Sequence, residues 1–90
     1  MILCRRYVVS GRVQGVSYRA AAARAAARIG VCGWVRNLDG GRVEALGCGS
    51  PEQLAAFASW LQRGPRCAEV TGVEVFDAPA QAQADFVIRY

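Results

Sequence analysis

The chain has 90 residues, 53% of them hydrophobic and 20% charged, a balance that fits one folded domain and excludes a disordered tail or a fibre. All 11 basic residues are arginines and the formal net charge is +4, so we expect anionic partners. The absence of His and Lys excludes nucleophile–imidazole pairs, imidazole metal ligands and lysine Schiff bases.

The first third of the chain predicts a strand, a polar loop and a helix. Residues 5–11 are rich in β-forming side chains and end at a glycine, which is typical of a strand. A polar loop over residues 12–17, with Gly15 at its centre, follows the strand. The alanine-rich run Tyr18–Ile29 favours a helix with one apolar face, and Gly30 ends that helix.

Two short segments in the middle of the chain predict a β-hairpin. Residues 33–38 and 42–47 each alternate apolar and polar side chains, as half-buried strands do. The Asp-Gly-Gly sequence at residues 39–41 joins them, and both glycines accept the positive φ that a tight turn needs.

A second helix is predicted to begin after Ser50, whose hydroxyl makes a good N-cap. Pro51 suits the first helical position, and Gln53 completes a capping box with Ser50. Apolar residues then recur at helical spacing as far as the Gly-Pro pair at residues 64–65, which ends the helix.

The last third of the chain predicts a strand over residues 69–76, a loop over 77–84 and a final short strand over 85–90. The element order is therefore β-α-β-β-α-β with a terminal strand. We expect one α+β domain over residues 1–90. Its fold would be a ferredoxin-like sandwich with two helices on one face of a four- to five-stranded antiparallel sheet. Because this fold hosts many functions, function has to be argued from a site.

The four cysteines are widely spaced and form no Cys-x-x-Cys pair, which argues against a zinc site: Cys4, Cys32, Cys48 and Cys67. No apolar run approaches the roughly 20 residues of a membrane span, and the N-terminal residues lack the layout of a signal peptide. We therefore expect a soluble cytoplasmic protein without membrane partners. In that compartment the cysteines are expected to be free thiols, although a disulfide framework is arithmetically possible.

The loop that joins the first strand to the first helix is the most informative stretch for function. The amides at a helix start lack internal partners, and a glycine such as Gly15 lets a loop turn its own amides inward, so this segment suits an anion. Arg19, in the first helical turn, could close its guanidinium over phosphate oxygens. The residues alone leave open that Gly15 only makes a turn, that Arg19 is solvated and that Asn37 only satisfies its hairpin turn.

The motifs GRVQGVSYR and GWVRNLDGGRVE, taken together, resemble the acylphosphatase family. Its pattern is Gly-x-Val-Gln-Gly-Val-x-Phe-Arg, then Gly-Trp-Val-x-Asn-x-x-Asp-Gly-x-Val-Glu. The resemblance covers nearly the whole chain, and the matched positions include Gly11, Val13, Gln14, Gly15, Val16, Arg19, Gly33, Trp34, Val35, Asn37, Asp39, Val43 and Glu44. Two departures stand out: Tyr18 replaces the usual Phe, so its hydroxyl needs a partner if buried, and the hairpin carries an extra glycine.

The resemblance implies an enzyme that hydrolyses the carboxyl–phosphate bond of acyl phosphates to a carboxylate and inorganic phosphate. It implies that Asn37 orients the attacking water, and that the phosphate is held by Arg19 and by the loop amides of Gln14, Gly15, Val16, Ser17 and Tyr18. No metal and no cofactor are expected, and the partners are small molecules: the acyl phosphate and inorganic phosphate. We expect a monomer. The terminal carboxylate of Tyr90 is a further candidate neighbour of Arg19.

Two alternatives to the enzyme remain. The element order and positive charge also suit an RNA-recognition domain, but the central strands offer few stacking aromatics beyond Tyr7, so we expect no nucleic-acid partner. The second alternative is a non-enzymatic relative that binds phosphate, or a piece that resembles the front of larger carbamoyl-transfer proteins. Both Arg19 and Asn37 are present, so the sequence shows no cause for lost activity.

Overall fold

A five-stranded sheet forms one layer of the computed structural model, which describes residues 1–81 and 84–89, and two helices form the other. The elements in chain order are β1 (Leu3–Arg12), α1 (Tyr18–Ile29), β2 (Cys32–Asn37), β3 (Val43–Gly49), α2 (Pro51–Arg63), β4 (Glu69–Ala78) and β5 (Phe86–Ile88). Both helices bury residues in a single core against the sheet. The predicted ferredoxin-like α+β fold is confirmed.

The strand order is β4-β1-β3-β2-β5, with β4 and β5 at the edges. The pairings among the first four strands are antiparallel, whereas β5 runs parallel to β2. The sheet is thus mixed, and the expectation of a purely antiparallel sheet does not extend to its last strand. Because β4 runs opposite to β2, a strand that turns back after β4 runs in the direction of β2.

The predicted capping box at the start of α2 is confirmed. The backbone N–H of Gln53 donates to the Ser50 hydroxyl at 3.1 Å, and the Ser50 N–H donates to Oε1 of Gln53 at 2.9 Å. The Gln53 amide also donates to the carbonyl of Ile29 at 3.4 Å, which ties the start of α2 to the end of α1. Gly30 ends α1 in the left-handed conformation, as its position predicts.

The core lies between the helices and the inner face of the sheet. Alanines of α1, among them Ala22 and Ala26, are fully buried and let that helix approach the sheet closely. The Tyr7 ring is buried and meets the Phe57 ring edge-on, with 5.7 Å between the ring centroids. RNA recognition would need an exposed aromatic ring on β1, whereas Tyr7 points into the core. In the described part of the chain, neither helix is long and apolar enough to cross a membrane.

The expectation of four free thiols is wrong for two of the cysteines. Cys4 on β1 and Cys48 on β3 form a disulfide. The two cysteines are 44 residues apart in the sequence, so no local pattern indicates that they pair. The register of the two strands places them directly opposite each other. Cys32 and Cys67 are free thiols, as expected.

On the outer face of the sheet, Glu44 is 6% exposed and lies between two arginines. Arg6 contacts one carboxylate oxygen at 2.8 Å and Arg36 contacts the other at 2.6 Å. Glu44 is thereby supplied with the charged partners that its burial requires. Arg6, Arg36 and Glu44 thus form one ion-pair cluster on this face.

Two buried tyrosines differ in what their hydroxyls contact. Tyr18 donates to the Leu61 carbonyl at 2.7 Å, an acceptor left without a helical donor because Pro65, four residues later, has no N–H. The hydroxyl of Tyr7 is buried without a hydrogen-bond partner among the described residues. Burial raises the pKa of both phenols, so both stay neutral and differ only in their partners.

The two tyrosines predict opposite results for the same substitution. Tyr18→Phe removes a buried hydrogen bond and orphans the Leu61 carbonyl, so the free energy of unfolding should fall by about 1–2 kcal/mol. Tyr7→Phe removes only an unpaired hydroxyl, so stability should be unchanged or slightly higher. Urea denaturation of both variants beside the wild type measures the difference. Equal losses in the two variants would contradict this assignment of partners.

Candidate active site

A loop with unusual backbone conformation joins β1 to α1. The pairing of β1 with β4 shifts register between Ser10 and Gly11, where a side chain on Gly11 would collide with the backbone of Glu69. Further on, Gly15 has φ 75° and Ser17 has φ 61°. Ser17 is the one non-glycine residue with positive φ among residues 1–81 and 84–89. Left-handed residues at alternate positions let successive N–H groups converge on one point, as in anion-binding nests.

The N-terminus of α1 opens directly from this loop. The first intrahelical bond runs from the Ala21 N–H to the Ser17 carbonyl at 3.0 Å, so the amides of the first turn have no acceptor within the helix. Ser17, in the N-cap position, makes no side-chain cap, and the first turn carries no acidic residue. No carboxylate of the first turn itself therefore offsets the positive end of the helix dipole, which favours an anion at this point.

A cavity of about 170 Å³ lies at this helix start. It brings together Arg19 from α1 and Asn37 from the end of β2, the two residues that the sequence predicts to be catalytic. Its wall is formed by Val13, Gly15, Ser17, Tyr18, Arg19, Ala20, Asn37 and Ile88. Of the predicted substrate-binding residues, Gln14 and Val16 do not line it.

Gln14 instead connects the loop to the hairpin between β2 and β3. Its amide nitrogen donates to the carbonyl of Leu38 and to that of Arg42, each at 2.8 Å. These two residues also pair with each other through the backbone, from the Leu38 N–H to the Arg42 carbonyl. Both donors of one side chain thus fix the position of the hairpin that begins next to Asn37.

The C-terminal strand contributes to the site in a way that no motif indicates. Arg19 Nη1 donates to the carbonyl of Arg89 at 3.1 Å, and Ile88 forms part of the cavity wall. The N–H of Arg89 donates to the Val35 carbonyl on β2 at 2.8 Å. The carbonyl that positions Arg19 is therefore anchored to the strand that carries Asn37. The expected neighbour Tyr90 lies outside the described residues.

The family model and the curated relatives indicate one family. The acylphosphatase family model matches residues 5–88. An acylphosphatase of Pseudomonas paraeruginosa is 51% identical over 87 residues, covering 97% of this chain and 96% of its own.

Solved structures give the same result. The crystal structure of an acylphosphatase from Bacillus subtilis superposes with a TM-score of 0.94 and 34% identity, covering 100% of both chains. An acylphosphatase structure from Coxiella burnetii gives 0.94 and 34%, covering 98% of this chain and 93% of its own. This chain therefore belongs to the acylphosphatase family of hydrolases.

Proposed function

We propose that the chain hydrolyses acyl phosphates without a metal ion, with the phosphate held at the start of α1 by Arg19 and the loop amides and the water oriented by Asn37. The observation that carries this proposal is the shared cavity: a guanidinium and a carboxamide from different elements line one small space at a helix N-terminus. Family membership supports the reaction class, and this geometry supports the roles proposed for Arg19 and Asn37.

Phosphate binding is assigned to the positive end of the site. The Arg19 guanidinium offers two parallel donors to phosphate oxygens, and the amides of the first helical turn offer more. The Arg19 guanidinium is oriented before substrate arrives by the hydrogen bond from its Nη1 to the Arg89 carbonyl. Donors that are already in place stabilise the charge that spreads over the phosphoryl oxygens in the transition state.

The reacting water is assigned to Asn37. Its side chain can both accept from and donate to a water, and so hold that water in line with the bond to be broken. The water oxygen bonds to phosphorus as the bond from phosphorus to the acyl oxygen breaks. The proton of the water passes to a phosphate oxygen of the substrate.

The side chains of the cavity support that choice of proton acceptor. No carboxylate is present among the described residues that line the cavity, and arginine does not take up a proton at ordinary pH. The Tyr18 hydroxyl donates to the Leu61 carbonyl, and burial raises its pKa. The leaving carboxylate needs no acid, because the pKa of a carboxylic acid is only about 4.

The size of the cavity points to the part of the substrate that is recognised. Its volume of about 170 Å³ is smaller than the roughly 300–1,000 Å³ of typical small-molecule sites, so it suits a phosphate group but not a large acyl chain. We therefore expect acyl phosphates with different acyl groups to be hydrolysed at similar kcat/KM values.

The test is hydrolysis of benzoyl phosphate by the purified protein with excess chelator. We expect turnover that chelator does not reduce and that inorganic phosphate inhibits competitively, because product and substrate share the same donors. An inactive protein that still binds phosphate would instead identify a non-enzymatic phosphate-binding domain. Activity that depends on an added divalent metal would contradict the proposed mechanism.

Gln14 gives a separate prediction about positioning. Gln14→Met keeps the side-chain length but removes both donors to the hairpin, so kcat should fall about tenfold through misplacement of Asn37. Because Gln14 does not line the cavity, inhibition by phosphate should change little. Steady-state kinetics with phosphate as inhibitor separate the two effects. A loss of phosphate affinity equal to the loss of kcat would show that Gln14 acts on the phosphate itself.

A further inference from the structure

Three of the four cysteines form a row across the outer face of the sheet. Cys48 on β3 lies opposite Cys4 on β1 and, on its other side, opposite Cys32 at the start of β2. Directly opposed residues on neighbouring strands point to the same face of a sheet. Cys4 and Cys48 pack with Leu46 in a cluster separate from the main core, so this face is the one turned away from the helices.

The spacing of the row places Cys32 within reach of Cys48. The Cα atoms of Cys4 and Cys48 are 4.1 Å apart, as in the narrow pairs of an antiparallel ladder, which are about 4.5 Å apart. A residue in a narrow pair directs its N–H and C=O away from that partner and toward the strand on its other side, where it forms a wide, hydrogen-bonded pair. Cys48 therefore forms a wide pair with Cys32, with Cα atoms about 5.5 Å apart. The hydrogen bond of Gly33 supports this alternation, because its N–H points away from β3 and donates to the Asp85 carbonyl. Disulfides usually join Cα atoms about 4.4–6.8 Å apart, so a bond between Cys32 and Cys48 is feasible.

The order of the three cysteines in the row also suits thiol–disulfide exchange. A thiolate attacks a disulfide in line with the bond that breaks, from the side opposite the leaving sulfur. Cys32 lies on the far side of Cys48 from Cys4, so a Cys32 sulfur that turns toward Cys48 attacks it from the required side.

Exposure distinguishes the free thiol from the disulfide. Cys4 and Cys48 are each 4% exposed, and Trp34 and Ala78 pack against their cluster. Cys32 is more accessible, and its thiol makes only a weak contact of 3.7 Å with the Ala84 carbonyl. A small thiol arriving from solvent therefore reaches Cys32 before it reaches the buried disulfide.

We propose that Cys32 is a thiol–disulfide exchange site, through which a low-molecular-weight thiol such as glutathione opens and closes the Cys4–Cys48 disulfide. The Cys32 thiolate attacks the sulfur of Cys48, the Cys32–Cys48 bond forms, and Cys4 leaves as the thiolate and takes up the proton that Cys32 lost. A glutathione thiolate then attacks Cys32, which gives a mixed disulfide and frees Cys48. A second glutathione releases Cys32 as a thiol and leaves as glutathione disulfide.

In total, these steps convert one protein disulfide and two glutathione thiols into glutathione disulfide and two protein thiols. The same steps in reverse oxidise the protein. The site is separate from the phosphate cavity, which lies at the start of α1 and the opposite end of β2. The exchange chemistry thus does not depend on the proposed hydrolysis.

The test follows reduction of the native protein by glutathione, with samples quenched by N-ethylmaleimide and digested with trypsin. Trypsin cleaves after arginine, so the four cysteines fall in four different peptides and every pairing has its own mass. In the wild type we expect a transient Cys32–Cys48 peptide pair and a glutathione adduct on Cys32. In Cys32→Ser we expect reduction of Cys4–Cys48 to slow by more than about tenfold.

Cys67→Ser is the matched control, because Cys67 is also a free thiol but is exposed and lies outside the row. This variant should be reduced at the wild-type rate. If Cys32→Ser folds poorly, Cys67→Ser protein alkylated at Cys32 in the native state gives the same comparison. Reduction that proceeds equally fast without a free Cys32 thiol, with glutathione attached first to Cys4 or Cys48, would overturn the proposal.

Discussion

Replacing Arg19 with alanine is expected to lower kcat/KM for benzoyl phosphate by about a thousandfold or more. The substitution removes the guanidinium that lines the cavity at the start of α1 and leaves the phosphoryl group with the backbone amides alone. Inhibition by inorganic phosphate should weaken in parallel, since ground state and transition state share this contact. Initial rates at several phosphate concentrations measure both quantities.

Arg19→Lys sharpens the prediction by keeping the charge. A lysine supplies a point charge without the two parallel donors of arginine, so most of the loss should persist. Arg24→Ala is the matched control, because Arg24 lies on the same helix, is exposed and does not line the cavity. Wild-type activity in Arg19→Ala, with Arg24→Ala equally active, would place the phosphate site elsewhere.

Replacing Asn37 with alanine is expected to reduce kcat by about a hundredfold while inhibition by phosphate stays near its wild-type strength. The reason is the division of roles: Asn37 holds the water, whereas the phosphate is held at the helix start. This separation of kcat from phosphate affinity is the signature that distinguishes a water-orienting residue from a phosphate ligand.

Asp39→Ala serves as the control for Asn37, since Asp39 is exposed in the same hairpin and does not line the cavity. It should retain wild-type kcat. Circular dichroism establishes that both variants are folded. If phosphate affinity and kcat fell together in Asn37→Ala, the carboxamide would be acting on the phosphate, and the water would need another partner.

Features that depend on neighbouring residues are predictable from this sequence. The capping box of Ser50 and Gln53 is an example, because its two hydrogen bonds join residues three positions apart. The limits of α1 follow from its alanines and from Gly30. The loop and hairpin motifs also single out Arg19 and Asn37, and both residues line one cavity.

Features that depend on strand register are not predictable in this way. The Cys4–Cys48 disulfide requires knowing that β1 pairs with β3 in one particular alignment. The parallel pairing of β5 with β2 is a second example, because no sequence pattern indicates that these two short segments pair. This pairing places the Arg89 carbonyl next to Arg19. The side-chain contacts of Gln14 are of the same kind, because they reach two carbonyls that only the folded hairpin places nearby.

The interior position of β1 has a consequence for how the chain folds. Its two neighbours in the sheet, β3 and β4, come from the middle and the last third of the sequence, so the first strand remains unpaired until much of the chain has been synthesised. Both pairings close long loops before they gain stabilising contacts, and such non-local topologies fold more slowly than helical domains of equal length. Until β4 pairs with it, one edge of β1 is open to pairing with other chains, so the nascent protein is prone to aggregation until β4 has been synthesised and has joined the sheet.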